Sequence, residues 1–385
     1  MSHNPPWPIS FPAIPPSVGT RRDSSKQESA CARPIFLNNR HGTQIPESTI
    51  QSIVHSLSTG MTWNDDLGAT ELQKRLAAFL HVDPSDAFFF TEAEAGIMHW
   101  LAYTWGLSQL QDGDEVLLSL QDTPMIKETF SHLRQQMARM GISLAIKEFG
   151  YQDNGEFDLR ELLSLLSAKT RLIFVPHIHP VFGTKNEEDI AFLKQQVGDQ
   201  ALVVVDVSQS VGRIPVYLER LHCDCAFFSG RNLFSPFPCG IVYMKHGLLE
   251  GQDLFLQQES ANPLAAKTLA QGINLLEHLG MEQIALHLQE LSHYLLASLK
   301  QVPTLEFLPG IGRCEEWCSP GYGILSFRTP GVSAEECVML LAENGLLVDF
   351  ADIPPYKDAV TVSLHLYNTT QHIDALVESL QQFCA

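Results

Sequence analysis

At 385 residues the chain is long enough for two or three domains of ~150 residues and for burying roughly three quarters of its unfolded surface. Apolar residues make up 45% and charged ones 18%, which excludes wholesale disorder. Lys and Arg number 25 against 44 Asp and Glu, and the net charge of −19 repels phosphate backbones and anionic lipids, so no nucleic-acid or membrane partner is expected.

The strongest apolar runs, Leu172 to Val175 and Ala201 to Val205, have strand length and fall far short of the ~18 residues of a membrane span. No basic-then-apolar leader opens the chain. The eight cysteines (31, 223, 225, 239, 314, 318, 337 and 384) are scattered, which suits free thiols in a reducing compartment. A cytoplasmic location is the expectation.

Residues 1–34 carry six prolines in their first sixteen positions and show no strand or helix period, so they read as a flexible Pro-rich arm. From Phe36 the pattern predicts helices Glu47–Ser58 and Ala69–Leu80, strand Ala87–Phe90, helix Ala95–Trp105 and strand Glu115–Ser119. Helix Lys127–Met140, strand Ser143–Glu148, helix Asp158–Leu166 and strand Arg171–Pro176 follow, then helix Glu187–Gln196 and strands Leu202–Asp206 and Cys225–Ser229. Strands alternating with helices of this length indicate an α/β domain over 35–284 with a mostly parallel, doubly covered sheet. Helix Pro263–Leu299, broken near Gly280, leads into a smaller α+β unit over 285–385. Its predicted pieces are Gly321–Phe327, Ala334–Asn344, Leu346–Phe350, Val360–Leu366 and Ile373–Phe383.

Doubly wound sheets bind ligands at the carboxyl ends of their strands. The polar residues there are His177, His179, Asp206, Gln209, Ser229 and Arg231, which define one candidate pocket. His177-Ile178-His179 would place two imidazoles on one face of an extended strand, but His177 has another explanation below and no metal site is expected. Cys314-x3-Cys318 and Cys223-x-Cys225 lack a second ligand pair.

Several colinear pieces carry a resemblance: Leu37-Asn38-Asn39, Trp105-Gly106 with Gly113-Asp114, Gly155 before Phe157-Asp158, and Thr170-Arg171-Leu172 running to Gly183-Thr184-Lys185-Asn186. Asp206-Val207-Ser208-Gln209, Leu221 to Gly230 with Leu233 and Pro236, and Ser363 with Tyr367-Asn368-Thr369 complete it. From Phe36 onward the chain resembles the class V aminotransferases, pyridoxal-phosphate (PLP) enzymes of fold type I, and most closely their cysteine desulfurase and selenocysteine lyase branch. The resemblance implies a large domain with a mostly parallel seven-stranded sheet and a smaller α+β domain.

It also implies a lysine that forms a Schiff base with the cofactor, and that position holds Asn232. The family's Gly-Thr-Thr phosphate turn aligns with Glu92-Ala93-Glu94, and its phosphate-contacting His with Arg231. Thr123 or Pro124 stands for the ring-stacking His, Pro180 for the Asn at the ring hydroxyl, and Thr361 for the substrate-clamping Arg. Arg40 and His41 replace two alanines, and the reactive-cysteine loop shortens to Phe350–Asp358 without a Cys. Asp206, Gln209, Ser229 and His177 are retained.

The expectation is a protein without bound PLP, acting as a non-catalytic or regulatory subunit in a homodimer or in a heterodimer with a related subunit. One alternative is a PLP-independent enzyme using Glu94, His177, His179, Asp206, His41 and Arg231 as acids and bases, with an unidentified small-molecule ligand. Another is a divergent PLP-dependent aminotransferase or desulfurase. At a dimer face, Glu92, Glu94 and Glu259 would repel one another unless Arg231 and Arg40 meet them from the opposite subunit.

Overall fold

The computed structural model describes residues 6–13, 34–60, 69–91, 94–120, 124–246, 248, 262–311, 321–351 and 353–383. The large unit is built on a seven-stranded sheet. Its strands are β2 (Ala87–Thr91), β3 (Glu115–Ser119), β4 (Ala145–Phe149), β5 (Thr170–Pro176), β6 (Leu202–Asp206), β7 (Cys225–Ser229) and β8 (Gly240–Met244). The order is β2-β8-β7-β6-β5-β3-β4. β8 pairs antiparallel with both β2 and β7, while β3 to β7 pair in parallel.

Alternation along buried strands fixes two cores. Ile173, Val175, Val203 and Val205 face one, Leu172, Phe174, Leu202 and Val204 the other, and helices cover both sides. The predicted helix Ala95–Trp105 forms as α over Glu94–His99 and widens to a π-turn over Trp100–Gly106, where Trp100 stacks on Phe89 at 5.7 Å. Of the strands in this sheet, β8 is the one not predicted from the sequence pattern. Its first residue must be glycine, because a Cβ at Gly240 would strike the Thr91 and Ile97 side chains.

Helix Pro263–Leu279 starts on a Pro in its first turn with the Asn262 side chain accepting from Leu264 N, and ends at Gly280, where helix Met281–Leu299 takes over. Leu264, Leu269, Ile273 and Leu276 form its buried stripe. Gly272 lets it lie against the turn after β7, since a Cβ there would fall on the Leu233 carbonyl.

The smaller sheet has the order β12-β13-β10-β9, with β9 Glu306–Phe307, β10 Ile324–Arg328, β12 Asp349–Phe350 and β13 Val360–Ser363, all antiparallel. β1 (Ile35–Phe36) pairs in parallel with β11 (Leu346–Leu347), so the chain enters through the smaller unit before building the larger. Residues 6–13 depart from the expected mobile arm. Phe11 is 7% exposed against the rings of Phe234 and Tyr367, and Trp7 Nε1 donates to Leu366 O at 3.1 Å with its ring edge-on to His287. Two aromatics in a Pro-rich stretch supply enough apolar area to dock it.

Candidate functional site

Asp206 and Ser229 end β6 and β7 with the same side-chain parity as Leu202, Val204, Cys225 and Phe227, so both emerge on the same face of the sheet. Asp206 Oδ1 accepts from Ser208 N at 2.8 Å, and Ser229 Oγ accepts from Arg231 N at 3.4 Å. The carboxylate thus closes the turn after β6, and the hydroxyl caps the 3-10 turn Gly230–Leu233.

Asn232 lies in that 3-10 turn, 5% exposed. Its Oδ1 accepts from Ser229 N at 3.2 Å, and its Nδ2 donates to Ser208 O at 2.7 Å. The amide therefore links the turns after β6 and β7. Lys245 cannot replace a lysine here, because it follows Met244, which pairs with Cys225 at the opposite end of β7 from Ser229.

A loop from the smaller unit lies over this turn. Asn38 bridges Ser363, Thr43 Oγ1 donates to Arg231 O at 2.7 Å, and Gln209 Nε2 donates to Arg40 O at 2.9 Å. Arg40 is buried, with Nη2 on Phe350 O at 2.9 Å and Nε 3.7 Å from Asp349. His41 stays exposed, with Nε2 3.9 Å from the same carboxylate. Arg231 is exposed beside Gly42 and makes no ion pair among the described residues.

Asp206, Gln209, Ser229, Arg231, Asn232 and the 39–43 loop gather at the ends of β6 and β7, and His177 N donates to Asp206 O at 2.9 Å beside them, while Ile178 bridges Lys185 before the chain turns at His179. His179 Nδ1 accepts from Val181 N and Phe182 N at 3.1 and 3.2 Å, and its ring packs edge-on to Tyr151 and Phe182. Burial pushes it down to about 3. His177 is also buried and pushed down to about 4, with Glu187 and Lys185 as its charged neighbours and both ring nitrogens lacking a hydrogen-bond partner. The Glu94 side chain, Glu92, Ala93, Thr123 and Glu259 lie outside the described residues. Thr361, which the resemblance aligns with the substrate-clamping Arg, is fully buried and its Oγ1 lies 2.9 Å from Ser326 Oγ.

Arg213 escapes the sequence reading. It is 1% exposed, its Nη2 donates to Asn39 O at 2.8 Å and its Nη1 to Leu364 O, so it fastens the segment after β6 to the smaller unit and its loop. Tyr367 OH donates to Asn39 Oδ1, and Asn39 Nδ2 to Ser363 O at 2.8 Å, so the distant motifs Leu37-Asn38-Asn39 and Ser363…Asn368 meet in one buried knot. Burial pushes Arg213 down to about 10. A lone arginine inside the apolar run Val211–Val216 is the signal that would have found it.

The sequence pattern of the aminotransferase class-V family matches residues 43–376. The chain belongs to that family. A probable cysteine desulfurase of Synechocystis sp. is 26% identical over 394 residues, covering 90% of each chain. A cysteine desulfurase of Haloferax volcanii is 23% identical, covering 96% of this chain and 94% of its own. Among solved structures, a NifS-like protein superposes with a TM-score of 0.76 at 20% identity over 91% of this chain and 98% of its own. The apo cysteine desulfurase of Thermococcus onnurineus gives 0.77 at 17%, over 91% and 94%. At these identities the structures establish the common fold: a PLP-transferase architecture with the large, mostly parallel seven-stranded sheet.

Proposed function

We propose that this family member has given up PLP Schiff-base chemistry and serves as a non-catalytic or regulatory subunit, paired with itself or with a related chain. The observation that carries the reading is Asn232. Its amide stands where the resemblance puts the lysine and cannot form an imine, and both of its polar atoms are committed to Ser229 N and Ser208 O. On this reading the residues present do not fit a covalently held PLP.

The substrate side of the site supports the same reading. Thr361 offers no cation for a substrate carboxylate, and its hydroxyl is spent on Ser326. The acid–base alternative loses His179 to a turn and keeps His177 away from bulk solvent.

Pairing is supported by helix Glu47–Thr59, which buries the polar Thr49 and Ser56 while leaving Val54 and Leu57 60% and 62% exposed. Arg40 is taken up by Phe350 and Asp349, which leaves Arg231 alone to meet carboxylates from another subunit. That imbalance favours a more basic related chain over a second copy. Sedimentation of the isolated chain, with mass spectrometry of what co-purifies from its native source, tests the reading. A second subunit or a recovered relative is the expected result, and a clean monomer with nothing recovered would refute the pairing.

A further inference from the structure

A second cleft, of about 970 Å³, opens at the carboxyl edge of the large sheet beyond β4 and β5. That volume suits a small organic ligand. One wall comes from 152–160 and the other from 185–189, with Arg220 at the side. Of its carboxylates, Asp158 caps its own helix through Glu161 N at 3.0 Å, and Glu187 pairs with Lys185 at 2.7 Å. Glu156, Glu188 and Asp189 have no ion pair among the described residues. Burial pushes the Asp189 carboxyl up, and repulsion from Glu156 and Glu188 adds to it.

Glu188 and Asp189 also suit the positive end of their helix, Glu187–Val197, but that does not account for Glu156, which stands on a loop. Nor does it account for Asn186. This residue is 2% exposed, lines the cleft, makes no side-chain cap, and leaves both Oδ1 and Nδ2 without a partner. A buried amide in that condition calls for a hydrogen-bonding ligand.

The ligand's charge follows from the groups left over. Arg220 lies over the Tyr217 ring at 4.2 Å and acts on Glu187, so Arg160 is the cation remaining to offset three carboxylates. An anion would face net repulsion. No three acidic, His or Cys side chains among the described residues converge closely enough for one metal ion. Spaced carboxylates suit an extended cation instead. We propose that this cleft binds an aliphatic diamine or polyamine, its ammonium groups on Glu156, Glu188 and Asp189 and one N–H donated to the Asn186 amide oxygen.

Calorimetric titration of the full chain with spermidine at physiological salt, with magnesium chloride as comparator, tests this. Saturable binding at one site is expected, weakened about tenfold by Glu156→Gln combined with Asp189→Asn. It should be unchanged by Glu343→Gln, an exposed carboxylate elsewhere. Removing mutually repelling carboxylates should leave the fold intact. No saturable heat at millimolar spermidine, equal affinity for magnesium, or equal affinity in the double variant would each overturn the proposal.

Discussion

Asn232 does at residue scale what a capping side chain does anywhere: it satisfies a backbone N–H and a carbonyl that the turn after β7 would otherwise leave bare. A lysine there would regain the amine and lose both bonds. Asn232→Lys alone is therefore expected to take up no stoichiometric PLP. The stretch that the resemblance aligns with the family's phosphate turn reads Glu92-Ala93-Glu94, and one carboxylate ~4 Å from a phosphate would cost on the order of 4 kcal/mol per unit charge at an effective dielectric near 20. Uptake measured by absorbance and mass decides, and full loading of the single variant would contradict the argument.

The buried histidines make a separate forecast for pH. His177 and His179 are held at about 4 and about 3 by burial, below the ordinary 6.5, so the unfolded chain binds protons that the native one refuses. Their contribution is complete above about pH 6.5 and is lost as pH falls toward those values, on the order of 3 kcal/mol for His177. The urea midpoint should fall steadily between pH 6.5 and 4. His179→Asn, whose amide oxygen can still accept from the 181–182 turn, should lose part of that slope, and an unchanged slope would show that His179 is not the titrating group.

At the scale of elements, the segment 6–13 is a strap across the junction of the two units, with Phe11 between Phe234 and Tyr367. Phe11→Ala is expected to lower stability by about 2–4 kcal/mol, read as a drop in the urea midpoint; a change within error would mean the strap adds nothing. This strap was illegible in the sequence because proline hides any period and its partners are more than 200 residues away. The strands β3, β6 and β7 were legible to the residue, since each is an apolar run bounded by polar or Gly residues. β8 carries the same signal, an apolar run from Ile241 to Met244 between Gly240 and Lys245, and is missed because it follows directly on the turn with Pro236 and Pro238. At the site, strand-end reasoning selects Asp206, Gln209, Ser229 and Arg231 from the pattern of β6 and β7. It does not show that His179 accepts from Val181 N and Phe182 N, because that turn follows the end of the strand pattern. Arg213 and Asp349 stayed hidden because their roles depend on contacts across the unit boundary.

For the whole molecule, the charge of −19 and the exposed pair Val54 and Leu57 pull in different directions: the first opposes self-association, the second asks for cover. If helix Glu47–Thr59 is the pairing face, Val54→Glu with Leu57→Glu should shift sedimentation toward monomer while leaving the unfolding midpoint nearly unchanged, as both side chains are mostly exposed. An assembly that survives the double variant would place the interface elsewhere.

The proposed loss of Schiff-base chemistry is tested most directly by incubating the native chain with excess PLP, removing the free cofactor, reducing with borohydride and weighing the intact protein. The account predicts no visible absorbance before reduction and an unmodified mass after it. A stoichiometric adduct on one residue, preceded by a visible band that borohydride bleaches, would contradict it.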